Sequence, residues 1–215
     1  MITLEKTSVM NFENAIRGAR NPMNSWSKSD SYYDENGKYI LGANDLDLAR
    51  RLTKAGSDHR KFMRQIFVSV DITAPMYWWA EADTYKVGTV RNSCSKMHKL
   101  LAKPFEMSDF SCECPSLPIS DEGTVEDVFT SIISILNGLR EYYLSIADEA
   151  LKKQIWYAIQ QVLPESYNQK STLTLDYEVI LNMYHARKAH KLNEWHTFCD
   201  WAESLPYFKE IVGIE

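Results

Sequence analysis

Between Tyr77 and His98 the chain gathers side chains that chemistry can use: adjacent Trp78 and Trp79, Tyr77 and Tyr85, Lys86, Arg91 and His98. Thr89, Asn92, Ser93 and Ser95 add hydrogen-bond donors and acceptors for a polar ligand. In a binding surface, the aromatic faces would stack a planar group, the cations would meet an anion, and the hydroxyls and amide would set orientation. Purely structural segments seldom need that mixture. Trp78 and Trp79 also have a plainer reading as core or subunit-interface aromatics. Cys94 lies between two Ser, yet no base is placed to activate it as a nucleophile, so it reads as structural. His59 and His98 read equally well as ordinary polar residues, and no spacing of His, Cys, Asp or Glu makes a metal set.

A strand must present this stretch. Ile66, Val68, Val70 and Ile72 have the period of two of a half-buried strand, and Pro75 ends it. The polar run thus leaves a strand end, where sites are often built. Upstream, Phe12, Ala15, Ile16 and Ala19 predict a short helix over 11–20, with Asn11 as its cap. Residues 21–42 carry Pro22 and Gly37 without helical period and read as a long surface loop or lid, longer than a compact domain keeps without a purpose. Asn44 is expected to cap a helix bearing Leu46, Leu48, Ala49 and Leu52, which Gly56 ends. His59, Arg60, Lys61 and Arg64 form a basic cluster that reads by itself as a solvated loop.

Downstream, 103–123 is an irregular connection rich in Pro. Thr124 and Asp127 resemble a capping box, and Val125, Val128, Phe129, Ile132, Ile133, Leu136 and Leu139 recur at helical spacing into Tyr143. So broad an apolar surface implies burial on more than one side, in the core or against another subunit. A helix over about 148–162 ends at Leu163-Pro164. Thr172 to Leu175 reads as a short strand, Asp176 as the cap of a helix to about His190 carrying Asn182 and Arg187, and 193–204 as a final helix with Trp195, Phe198, Cys199, Trp201 and Ala202 as a packing stripe.

The 215 residues, 45% hydrophobic and 25% charged, suffice for one globular domain over 1–215; two are possible but unnecessary. A net charge of -5 argues against a broad nucleic-acid surface while leaving room for a local basic pocket holding one nucleotide. No apolar run approaches the roughly 20 residues of a membrane span, and the polar start Met1 to Lys6 has no signal-peptide core, so a cytoplasmic protein is expected. The four Cys suit reduced, structural roles.

The order of these pieces resembles the flavin-dependent thymidylate synthases, which make thymidylate from deoxyuridylate with a flavin, methylene-tetrahydrofolate and a nicotinamide reductant. Their hallmark, Arg-His-Arg-x-x-Ser-x-Asn-Glu-x-Ser-x-Arg-Tyr, follows a strand and a proline. Here the corresponding run is Thr84 to Thr89, then Val90 and Arg91 where the hallmark has a single residue, then Asn92 to His98. Asn92 and Ser95 are identical, Thr89 replaces a Ser, and Lys86 keeps one cation, whereas Thr84 and Tyr85 stand for the first Arg and the His, and Ser93, Met97 and His98 for the late Glu, Arg and Tyr. Ala19-Arg20, Val162-Leu163-Pro164 and the Asn182 and Arg187 of 181–187 resemble further family motifs, so the similarity spans nearly the whole chain.

The resemblance implies a single α+β domain, a small, mainly antiparallel sheet containing the 66–72 strand and flanked by helices, assembled as a homotetramer. It implies reductive methylation of dUMP to dTMP with FAD as cofactor and NADPH and methylene-tetrahydrofolate as co-substrates, without a metal, nucleic acid or membrane. Carried over by position, Lys86, Thr84, Tyr85, Thr89 and Asn182 fall to the cofactor, and Asn92, Ser93, Ser95 and Arg187 to the nucleotide, with Arg187 and Ser95 catalytic; Arg64, from the basic cluster, is a further cation for the flavin phosphates, as Arg60, Lys61 and Arg91 could also be. The departures matter, because Lys86 offers a point charge where an Arg would offer a bidentate fork, and Met97 removes a cation outright. They leave open a flavin-independent or non-catalytic relative that binds a nucleotide or partner, and an enzyme with a changed pyrimidine substrate.

Overall fold

The structure, a computed structural model, describes residues 2–121 and 123–214. Met1 and Glu215, the ends of the expected single domain, and Glu122, within the expected 103–123 connection, lie outside the described residues. In chain order the elements are β1 (Thr3–Met10), α1 (Phe12–Arg20), β2 (Tyr32–Tyr33), β3 (Tyr39–Ile40), α2 (Ala43–Lys54), β4 (Phe67–Pro75), α3 (Met76–Ala82), β5 (Val90–Ser93) and α4 (Lys96–Lys99). There follow β6 (Pro118–Ser120), β7 (Gly123–Thr124), α5 (Val125–Ser145), α6 (Glu149–Val162), β8 (Asn168–Asp176), α7 (Tyr177–Arg187), α8 (Asn193–Glu203) and α9 (Phe208–Val212). The expected α+β fold is the one adopted: a four-stranded antiparallel sheet in the order β1-β4-β8-β5, with helices along the chain on either side of its strands. The residues group into two compact units, one of 73–82 and 93–171, the other of 2–72, 83–92 and 172–214, and both β4 and β8 run through the two.

Strand β4 follows its period of two: Val68, Val70, Ile72 and Ala74 are buried, and the strand runs three residues past the expected Ile72 to Pro75. The expected strand at 172–175 is the end of the longer β8. Gln169 and Ser171 take buried alternate positions there, so the period of two is present but polar, and hydropathy does not register it. Within the second unit, Ser69 and Thr174 share a hydroxyl hydrogen bond at 2.8 Å and Thr172 donates to Asp71 at 2.6 Å.

In the first unit the expected capping box opens α5: Thr124 N donates to Asp127 at 2.7 Å and Thr124 Oγ1 accepts from Asp127 N. Leu136 of α5 meets Ile155 and Ile159 of α6 in a core completed by Leu100, Phe105 and Phe110. Within the chain that core buries only one side of α5, and Val128, Ile135 and Tyr142 remain exposed. In the second unit the rings of Phe12, Tyr177 and Phe208 meet edge-on at 5.5 and 5.6 Å, and Trp195 and Phe198 of α8 are fully buried.

Asn11 holds the expected N-cap position of α1 without a capping side-chain bond, and the expected Asn44 cap is corrected. Asn11 precedes α1 with φ 74, but its amide bridges Gln65 O and Asn14 rather than a helix N–H. Asn44 lies inside the first turn of α2, and the cap is Asp30, whose carboxylate accepts from Asn44 N at 2.9 Å and Asp45 N at 3.1 Å. A capping residue brought in from the preceding loop leaves no local pattern. The 21–42 loop is itself ordered by 3-10 turns at Asn21–Met23 and Trp26–Lys28 and by the β2–β3 hairpin. Among the described residues no helix is long and apolar enough to cross a membrane.

Candidate functional site

The Trp pair belongs to the core. Trp78 and Trp79 of α3 are 0% and 1% exposed, their rings meet edge-on at 4.9 Å, and Trp79 Nε1 donates to Gln169 O at 2.9 Å. A stacking platform needs an open face, so the plainer sequence reading holds.

The second unit collects most of the residues assigned to the cofactor. After α3 the chain turns through 83–89, braced by a 2.6 Å ion pair from Arg91 to Asp83 and by Thr89 Oγ1 donating to Tyr85 O. Thr84, Tyr85, Lys86 and Val87 line a cavity of about 220 Å³ with Val179 and Asn182 of α7. Arg187, at the end of α7, donates from Nε to Tyr85 Oη at 3.1 Å, and its guanidinium lies over the Tyr85 ring at 5.6 Å and the Trp195 ring at 4.8 Å. Tyr85 therefore bonds Arg187 and shares a cavity with Asn182, five residues before Arg187 on α7. Lys86 is exposed and has no ion pair among the described residues.

The turn depends on Gly88. Its φ is +80°, and a Cβ there would approach Asp176 Oδ2 and Val179 Cγ2 to 2.9 Å. Asp176 cannot easily move, because it caps α7 through Val179 N at 2.9 Å. Gly88→Ala is expected to lower stability by about 1–2 kcal/mol in urea unfolding, the penalty of a left-handed Cβ, and a neutral result would show that the turn does not need this conformation.

In the basic cluster at 59–64, His59 and Lys61 are solvated as expected, but Arg60 and Arg64 are not free cations. Arg60 and Arg64 both bond the buried carboxylate of Glu178, Arg60 Nε at 3.1 Å, and Arg64 also donates to Ser57 O. Arg64, expected from its basic cluster to meet the cofactor's phosphates, is thus already committed to a carboxylate.

In the first unit, Ser95 lines a different cavity of about 180 Å³ with Thr73, Lys96, Lys99, Asn168 and Lys170. Cys94 N donates to Lys170 O at 2.9 Å, and Gln169 Nε2 donates to Cys94 O at 2.7 Å. Ser93 and Asn92 are exposed on β5, and Met97 is 64% exposed. Sequence reasoning passed over Lys96, Lys99 and Lys170, although the first two flank the replaced Arg position, and it took Trp195 for packing alone. Burial pushes the Cys199 thiol up to about 11, which suits a structural cysteine. No group of three or more metal-ligating side chains occurs among the described residues.

No family profile matches the sequence, and no curated protein matches it. Solved structures do match. One is thymidylate synthase X from Helicobacter pylori with FAD and dUMP, at a TM-score of 0.65 and 15% identity, covering 99% of this chain and 97% of that one. Another is a flavin-dependent thymidylate synthase, also from Helicobacter pylori and complexed with FAD and dUMP, at a TM-score of 0.62 and 15% identity, covering 98% and 96%. Over its whole length this chain is similar to those proteins in fold.

Proposed function

We propose that this protein is a flavin-dependent enzyme of the thymidylate synthase type, reductively methylating dUMP to dTMP with methylene-tetrahydrofolate and NADPH. The observation that carries this reading is that two motifs about 100 residues apart, both assigned by resemblance to one ligand system, come together: Tyr85 meets Arg187 at 3.1 Å and shares a cavity with Asn182.

The residues fit part of a flavin nucleotide. Lys86 is a cation with no carboxylate partner, as a phosphate requires, while Thr84, Tyr85 and Asn182 supply hydroxyl and amide groups around it. At about 220 Å³ the cavity holds only a fraction of a dinucleotide, and the rest would be met by another copy in the proposed homotetramer. Exposed Val128, Ile135 and Tyr142, seven apart on α5, suit such self-association. When bound, FAD would take a hydride from NADPH and pass those reducing equivalents on to methyl formation. Of the chain's own residues, Thr89 fixes the turn that carries Tyr85, and Arg187 is the catalytic cation that orients the nucleotide. Ser95 donates to the nucleotide, Asn92 and Ser93 extend that contact, and Lys96, Lys99 and Lys170 offset the lost Arg at Met97 by drawing phosphate to the Ser95 cavity. A single domain acting in the cytoplasm, without nucleic acid or membrane, belongs to the same reading.

The commitment of Arg60 and Arg64 to Glu178 favours a second reading, a repurposed relative that binds a nucleotide without flavin. The visible spectrum of the protein, recorded after adding FAD and gel-filtering the excess away, separates the two. A retained flavin band is expected, with Lys86→Ala and Arg187→Ala each weakening retention about tenfold, near 1.4 kcal/mol. dUMP binding with no flavin band in the wild-type protein would establish the second reading.

A further inference from the structure

The loop that the sequence marked as needing a purpose builds a cavity that the proposed enzyme site does not use. Helix α1, the 3-10 turn at Trp26–Lys28 and the β2–β3 hairpin enclose about 330 Å³ in the second unit, walled by Trp26, Tyr32, Tyr33 and Tyr39 above Arg17 and Arg20. Trp26, Tyr32 and Tyr33 are 51%, 59% and 55% exposed. So many aromatic faces turned to solvent on one short segment mark a binding surface more often than a packing remnant.

These rings are held in place before any ligand arrives. Trp26 Nε1 donates to Asn21 Oδ1 at 2.8 Å, Tyr33 Oη donates to Glu13 at 2.7 Å, and the Tyr33 and Tyr39 rings meet at 5.3 Å. Ser29 and Ser31, from the same wall, each donate to Asp45 at 2.6 Å. Pre-arrangement of this kind lowers the ordering cost of binding.

The charges point to an anion. Arg20 is 4% exposed, its charge is met by Asp45 at Nε, its Nη1 donates to Ser25 O at 3.3 Å and its Nη2 is buried, so it braces the cavity from beneath without facing a ligand. Arg17 is exposed and its Nη2 meets only the neutral Asn14 amide, at 2.7 Å. Glu13, the one carboxylate among the lining residues, is occupied by the Tyr33 hydroxyl. The Arg17 guanidinium, exposed and without a carboxylate partner among the described residues, is a carboxylate receptor, and the aromatic walls receive a flat ring. We propose that this cavity binds a planar aromatic acid of one or two fused rings, its ring against Trp26 and Tyr32 and its carboxylate at Arg17. The volume lies at the lower end for small-molecule sites and suits a ligand of that size.

Isothermal titration calorimetry on the full chain tests this with indole-3-acetate, using indole-3-acetamide as the uncharged control of the same shape. The acid is expected to bind saturably at one site, and the amide at least about tenfold more weakly. Arg17→Gln and Tyr32→Ala change exposed side chains, so each is expected to melt like the wild type while weakening the acid about tenfold, whereas Lys86→Ala leaves binding unchanged. The proposal is overturned by the absence of saturable heat, by equal binding of acid and amide, or by wild-type affinity in both Arg17→Gln and Tyr32→Ala.

Discussion

Asp45→Asn is expected to lower the unfolding free energy by about 3–5 kcal/mol, the cost of leaving a buried charge without its partner. Asp45 is fully buried and takes Arg20 Nε at 2.5 Å, the Ser29 and Ser31 hydroxyls at 2.6 Å each, and the backbone N–H groups of Asp30 and Ser31. The neutral amide keeps the volume but leaves the Arg20 charge uncompensated, with a side chain only 5% exposed. Chemical denaturation of the variant beside Arg20→Met and the double variant separates pair from parts. If the charge is the cause, the double variant is more stable than the sum of the single losses implies. A loss under about 1 kcal/mol in Asp45→Asn would refute the role, since it would match an exposed pair.

The same carboxylate sets a pH dependence. Burial pushes the Asp45 carboxyl up, but hydrogen bonds from Ser29, Ser31 and Arg20 and the Arg20 charge outweigh it and hold it below its ordinary value. For a group depressed in the folded state, the stabilisation is present above the unfolded value of about 3.9 and is lost as pH falls through the folded one. Wild-type stability should therefore decline below about pH 4, and Asp45→Asn should lack that part of the decline.

Trp79→Ala is the second large loss expected, about 3–5 kcal/mol, because a large buried ring leaves a cavity that its neighbours fill only in part. It also removes the 2.9 Å bond to Gln169 O, and Gln169 in turn holds Cys94 O beside the lysine-lined cavity. Trp79→Phe keeps most of the ring and loses the donor, so it should cost about 1–2 kcal/mol. Thermal unfolding orders the two variants. Equal losses would mean that the hydrogen bond, not the packed volume, carries the effect.

That Trp pair shows how much of the site was legible. Its position just beyond Pro75 could be read directly, but whether the rings faced a ligand or the core could not, because α3 turns both inward and no local pattern encodes which side of a short helix is covered. Lys86, Tyr85, Asn182 and Arg187 were each singled out from type and position, and the fold brings them to one unit. Arg64 was singled out from its basic cluster, yet Glu178, 114 residues away in sequence, claims it. Ser93 and Ser95 belong to the other compact unit.

By itself the sequence determined the elements whose signals are local: the period of two in β4, the capping box of α5, the Asp176 cap of α7, and the stop of α6 at Leu163-Pro164. These depend on neighbours within about four residues, so composition and spacing suffice. Tertiary structure alone decided the polar first half of β8, the capping of α2 by Asp30, the burial of Asp45 against Arg20, and the aromatic cavity over α1. Each of these joins groups far apart in the chain, and the energy of a buried polar contact depends on what surrounds it in the folded state, which residue types and spacing do not record.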